Sequence, residues 1–298
     1  MGFVVVILRI AIAGRGWASV ARSGWWARPL VLALGLSACP PAARPPPVVE
    51  PGLEVPRLGG GGAEPSTSGV RFGRAAPVVG ARWDVSVDAR SATADPQGGV
   101  QLSQYLSSYT VEILATNGPA PSRVRLAFER NVQRYQGVDK ATSIDGKTYV
   151  VDAAPPYVRD DDAGGAAPEE ETQRVLDIFP DLGTRTQIDQ VLPDAAMAIG
   201  EPRDELAGAI LAVIHPRAWT LNAGSAVLER TDTEDAVFSV ALDATGTNGL
   251  RMVVKGEARV RLRDARLTQI AVEGTYDHAS GGVSEPGTFT LRRTVRDR

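Results

Sequence analysis

FSVALDATGTNGLRMVV, Phe238 to Val254, is the stretch that decides the fold. Phe238, Val240 and Leu242 alternate with Ser239, Ala241 and Asp243, and Leu250, Met252 and Val254 resume the alternation after Thr247-Asn248-Gly249. A period of two places apolar residues on one face of a strand, and Asn-Gly between two such runs turns the chain back. Onward, Arg259, Arg261 and Arg263 alternate with Val260 and Leu262, Asp264-Ala265 makes a turn, and Leu267, Ile270, Val272, Phe289 and Leu291 follow. A succession of this kind predicts an antiparallel meander, each strand beside its sequence neighbour. Glu257 and Asp264 flank the three arginines, which therefore read as a solvated strand face and not a phosphate site.

The same alternation runs earlier in the chain. Trp83, Val85 and Val87 oppose Asp84, Ser86 and Asp88. Tyr109, Val111 and Ile113 lead through Asn117-Gly118-Pro119 into Val124, Leu126 and Phe128. Two amphipathic stretches interrupt the strands. Pro168 to Asp181 opens with Glu169-Glu170-Glu171, favourable at the positive end of a helix dipole. Pro202 to Ile214 stripes Leu206, Ile210, Leu211 and Ile214, with Pro202 at N1 and Pro216 as a stop. The expectation is a mainly β, α+β fold: a curved antiparallel meander sheet with two short packing helices. Ala75 to Asp84 matches Ala195 to Asp204 at four positions, Ala75, Ala76, Gly80 and Asp84. That echo divides a body of residues 70–298 into two weakly related halves, 75–192 and 193–298.

The chain upstream has a different character. Arg22 and Arg28 precede the apolar core Leu30, Val31, Leu32, Leu34 and Leu36, and Leu36-Ser37-Ala38-Cys39 closes it. A basic region, a short apolar run and small residues at a cut make a secretory signal. The run is shorter than the about 20 apolar residues of a membrane span. Cys39 is the chain's single cysteine. Pro40, Pro41 and Pro45 to Pro47 follow it at once, which argues against a buried core thiol. Leu36-Ser37-Ala38-Cys39 resembles the lipobox of bacterial lipoproteins. The resemblance implies cleavage between Ala38 and Cys39, a diacylglycerol thioether on Cys39, and acylation of the new amine. It covers the signal alone. Pro40, where an aspartate would favour inner-membrane retention, implies the outer membrane. A second apolar run, Phe3 to Ala13, makes the leader long, which fits either a genuine long leader or translation starting near Val20.

The three segments expected are thus a signal peptide over 1–38, a lipidated tether over 39–69 and the body over 70–298. The tether is rich in proline, with Gly59 to Gly62 as a flexible joint, and reads as a stand-off spacer. Removing residues 1–38 takes four arginines and no acid, so the net charge moves from −3 to −7. An acidic chain excludes nucleic acid as a natural partner, since phosphate binding needs a basic face. With Cys39 acylated, no thiol is left for a disulfide, a metal or a nucleophile.

Motifs for chemistry are not matched. His215 and His278 are the two histidines, and neither lies in a ligand spacing. His215 reads as a helix-end residue and His278 as part of the loop Asp277 to Gly282. Ser280 lacks a G-x-S-x-G elbow. Asp160-Asp161-Asp162 are consecutive, whereas a calcium loop alternates its acids. Gly59 to Gly62 lack the lysine of a phosphate loop. No catalytic residue, metal or cofactor is expected. A lipoprotein with a long meander backed by helices looks somewhat like the half-barrel carriers of lipoproteins and lipids, a likeness of architecture that implies an apolar ligand or lipid in the curved sheet. The alternative is an assembly lipoprotein that presents a protein-interaction surface to an envelope protein. An enclosed apolar cavity of several hundred Å³ would favour the carrier. An open apolar patch or bare strand edge would favour the interaction module.

Overall fold

The computed structural model describes residues 69–94, 99–155, 157–214, 219–246, 250–280 and 283–298. Cys39, the signal, the tether before Gly69 and His215 lie outside them. The described residues form one open, curved sheet of 12 strands, antiparallel throughout. In chain order these are β1 (Arg82–Ala94), β2 (Val100–Asn117), β3 (Ala120–Tyr135), β4 (Val138–Ala141), β5 (Thr148–Asp152) and β6 (Val158–Asp160). The second series is β7 (Pro202–Arg203), β8 (Trp219–Thr231), β9 (Asp235–Gly246), β10 (Leu250–Arg261), β11 (Leu267–Ser280) and β12 (Val283–Asp297). Their order is β6-β5-β3-β2-β1-β12-β11-β10-β9-β8-β7, with β4 alongside the end of β3. Two meanders, β1 to β3 and β8 to β12, are joined where β1 pairs with β12 from Trp83↔Asp297 to Thr93↔Gly287.

Alternation sorts the two faces as the sequence predicts. Trp83, Val85, Val87 and Ala89 of β1 are buried, as are Phe238, Val240 and Leu242 of β9 and Met252 and Val254 of β10. The opposite, outer face carries charge ladders. Glu112 accepts from Arg82 at 2.7 Å and from Arg125 at 3.1 Å, and Asp84 accepts from Thr110 and Arg298, each at 2.8 Å. Exposed pairs of this kind contribute about 0–1 kcal/mol each, so the buried face dominates stability. The sheet ends in very short strands, β6 and β7, which limits the bare edge offered to other chains.

Residues 70–81 form a strap not foreseen from the sequence. Val70 bridges Met197, Gly73 N–H donates to Leu262 O at 2.6 Å, and Gly80 N–H donates to Ile113 O at 2.8 Å. The strap crosses one end of the sheet and stacks Phe72 on Phe238, ring centres 6.2 Å apart.

Three helices are present among the described residues where two are expected: α1 (Glu169–Ile178), α2 (Gln187–Val191) and α3 (Asp204–Ile214). The short α2 is capped by the Thr186 side chain accepting from Asp189 N–H, a local bond that period-seeking misses. Helix α3 buries Leu206, Ile210, Leu211 and Ile214 against β8 and β9. It starts at Asp204 and not at Pro202, because Pro202 and Arg203 pair with Val227 and Ala226 as β7. Consequently Ala75 to Asp84 runs from the strap into β1, whereas Ala195 to Asp204 runs through β7 into α3. Up to that point the two echoing segments share a turn: Gly80 and Gly200 lie at φ 84° and 82°, and their N–H groups donate to Ile113 O at 2.8 Å and to Leu228 O at 2.7 Å before the chains part at Asp84 and Asp204.

Two further readings need correction. Arg261 is no solvated strand residue. Its side chain is 7% exposed and donates two bonds to Asp264, at 2.9 and 2.7 Å, and another to Asp297. The register shifts between Arg259 and Val260, and Val260 and Arg261 are then both buried in succession, which breaks the alternation. His278 lies in strand β11, its backbone paired with Glu285, and not in a loop.

Candidate functional site

A trough of about 820 Å³ lies across the outer face of β8 to β12. It is built by register alone. Its floor is the row Gly224–Leu242–Val254–Gly274–Phe289, whose members are direct cross-strand partners. The floor side chains point to the buried face, so backbone is what they present to the trough. One wall is the row Ala223–Asp243–Val253–Thr275–Thr288, and the other is Ser225–Ala241–Lys255–Glu273–Thr290. Residues two apart on a strand stand about 7 Å apart, and five strands span about 19 Å. The trough therefore has the width of a single extended chain and runs across the strands.

Close backbone approach on the opposite face accompanies it. A Cβ added at Gly256 would run into the Ala271 carbonyl oxygen, and one at Gly274 into that of Val253. Only glycine fits where neighbouring strands approach this closely.

The walls are small or hydroxylated except at three places. Val253 is 46% exposed, an apolar side chain left to solvent. Asp243 is held: Arg251 donates to both its oxygens and Asn222 donates at 3.0 Å, and the Arg251 bond keeps its carboxyl below the usual carboxylate range. Lys255 and Glu273 are cross-strand partners, and neither takes part in an ion pair among the described residues. The trough thus offers hydroxyls, one free cation, one free anion and a strip of carbon. Those groups suit binding. They do not supply a nucleophile held by a base.

A second polar cluster lies on the buried face. Asn131 donates to Tyr105 Oη at 2.6 Å and to Ser107 Oγ at 3.0 Å, and Thr142 donates to Asn131 Oδ1 at 2.7 Å. Burial pushes the Tyr105 phenol well above its ordinary value. This network satisfies its own members and fixes the register of β2 on β3.

The residues singled out in the sequence do not converge. Asp160 accepts from the backbone N–H of Asp162 and Ala163, each at 3.0 Å, and Arg125 donates to Asp161 at 3.0 Å, a turn closed on itself. Among the described residues no group of three His, Cys, Asp or Glu side chains could hold a metal ion. No described helix is long and apolar enough to cross a membrane. The trough was missed because its floor consists of residues assigned to the core. Glycine at 256 and 274, inside otherwise regular strands, is the signal that could have located it.

No protein-family model matches this chain, and no curated protein matches it. Among solved structures it is similar to a DUF1329 family protein from Desulfovibrio piger ATCC 29098, at 11% sequence identity over 72% of this chain and 85% of that one, with a TM-score of 0.13. Overlap at that level supports no statement about fold or function.

Proposed function

We propose that this protein is a bacterial envelope lipoprotein, anchored in the outer membrane by acyl groups on Cys39, whose body is a binding module and not an enzyme. The trough across β8 to β12 receives an extended segment of a partner envelope protein. The observation that carries this reading is the position of the cavity: it opens on the solvent face, while the inner-face side chains Val240, Leu242, Val254, Val272 and Phe289 are buried. An open trough about one chain wide suits a linear occupant, and Lys255 and Glu273 give it a charge register to read.

A second reading, an acyl chain or other apolar ligand lying in the same trough, is favoured by the exposed wall residues Val253 and Ala241. One experiment separates the two. A photo-crosslinking amino acid at Val253, with Ser86 on the outer face of β1 as control, is irradiated in cells, and the adduct is analysed by mass spectrometry. A peptide adduct at position 253 alone supports the interaction module, and a lipid adduct supports the carrier. Equal labelling at both positions removes the trough from either role. Intact mass of the same protein reports whether Cys39 is acylated.

A further inference from the structure

One cation stands on the buried face of the sheet without a counter-charge. Arg293 of β12 is the cross-strand partner of Val87 on β1 and Ile270 on β11, and Leu291 and Val295 flank it along its own strand. All four are buried, and cross-strand partners share a face, so the half-buried Arg293 side chain rises from the inner face among apolar neighbours. Beside it lies Tyr109 of β2. Burial pushes that phenol up, and the Arg293 guanidinium, hydrogen-bonded to it, opposes the rise. Arg293 has no ion pair among the described residues, and the acids around it are occupied elsewhere. Among the described side chains, the inner-face positions of β1, β2, β11 and β12 hold one acid, Asp297, which Arg261, Arg263 and Arg266 share at the strap end. Off these strands, Glu171 accepts from Tyr149 and Lys147, Asp177 from Gln173, and Asp145 from the Asn131 N–H. Helix α3 packs against β8 and β9 and α1 against β6, at the flanks of the sheet, whereas β12 lies at its centre.

We propose that Arg293 anchors an anion-binding site on the inner face, for an amphipathic ligand that carries a carboxylate or a phosphate on an apolar body. A guanidinium drawn out of water among apolar side chains is costly until a counter-charge pairs with it. The described inner face supplies none, so the ligand brings it. The planar fork of arginine matches the two oxygens of either oxyanion. Tyr109, which accepts from Arg293, has no acceptor for its own O–H among the described residues and adds a second donor. The apolar body of the ligand then meets Val87, Leu291 and Val295 around the guanidinium, and Ser107, across Val87 on the same row, offers a hydroxyl. This site lies on the face opposite the trough, and depends neither on what fills the trough nor on acylation of Cys39.

The test follows thermal melting of the purified full chain in phosphatidylcholine vesicles, with laurate, dodecyl phosphate or the uncharged dodecanol added. A ligand that binds the folded state alone raises the melting temperature. Laurate or dodecyl phosphate is expected to raise it by several degrees and dodecanol to leave it unchanged, and the larger of the two anion shifts names the preferred oxyanion. Arg293→Met removes the charge and keeps an unbranched chain in place. Without ligand it is expected to melt at or above the parent, because an unpaired inward charge is gone, and to lose the anion-induced shift. Arg293→Lys, which keeps the charge and loses the fork, is expected to retain part of the shift. Absence of a shift with either anion, a shift that survives in Arg293→Met, or an equal shift with dodecanol overturns the site. So does an Arg293→Met protein that melts well below the parent, since the guanidinium would then be paired within the fold.

Discussion

Tyr276 of β11 lies directly over Gly287 of β12. Its ring occupies the space that a Cβ at 287 would need, and its hydroxyl is hydrogen-bonded to Thr93 on β1. One tyrosine thereby covers a glycine and links three strands, β11, β12 and β1, across the junction between the two meanders. Gly287→Ala drives a methyl into the ring and is expected to cost about 1–3 kcal/mol, as overpacking does. Thr93→Val keeps the volume and loses the bond, for about 1 kcal/mol. Urea denaturation checks both, and an unchanged midpoint in Gly287→Ala would show that the ring is free to move aside.

Arg261 is the second point where a single side chain ties distant segments, here the β10–β11 turn and the chain's C-terminal end. Lysine in its place keeps the charge but cannot give two bonds to Asp264 and a third to Asp297. Arg261→Lys is expected to lower stability by about 1–2 kcal/mol. Arg263→Lys, 63% exposed and bound to Asp297 alone, is expected to change little. Thermal melts of the two variants should separate clearly.

What was legible in the sequence was local. Alternation at Trp83, Tyr109, Phe238 and Leu250 named the strands and their buried faces, and Asn117-Gly118 named a turn. Both are set by residues within a few positions of each other. What was not legible was set by partners far away in sequence. The pairing of β1 with β12 joins residues 194 to 214 apart, and nothing in Trp83 or Asp297 announces the other. The strap at 70–81 has no period, since its hydrogen bonds go to Met197, Leu262 and Ile113 in turn. The trough depends on five strands lying in register, so its walls become neighbours only after the sheet has formed.

Tyr149 connects sheet and helix. It is fully buried and donates to Glu171 Oε2 at 2.5 Å, while Lys147 donates to Glu171 Oε1 at 2.7 Å. Burial, and then the bond and charge of Glu171, push the phenol far above its ordinary value. A group whose folded pKa lies above its unfolded one contributes stability that is complete below the unfolded pKa, about 10 for tyrosine, and is lost as the pH rises beyond it. Unfolding should therefore become easier above about pH 10. Tyr149→Phe should be less stable at pH 7 by about 1 kcal/mol and show a flatter alkaline fall. The Tyr105 phenol, also raised by burial, keeps some slope in the variant. Denaturation midpoints between pH 7 and pH 11 test this, and parallel curves for the two proteins would assign the alkaline loss to other groups.

Asp235 carries a shift of the same sign as Tyr149, but in a window below neutral pH. Burial raises its carboxyl above 3.8, the Thr268 bond opposes that shift, and the nearby Asp232 charge adds to it. Its Oδ1 is buried without a hydrogen-bond partner, while Oδ2 accepts from Thr268 at 3.1 Å. With the folded pKa above the unfolded one, the protonated form is the favoured one in the fold. That stabilisation is present below about pH 4 and disappears as the pH rises through the folded pKa, so at pH 7 the ionised group is a net cost. Asp235→Asn retains an acceptor for Thr268 and removes the charge. It is expected to be more stable than the parent at pH 7, with the advantage fading as the pH is lowered, because near pH 3 the aspartate is itself neutral. A variant less stable at pH 7 would mean that Arg259 and Arg261, which draw the carboxylate toward its charged form, outweigh the burial.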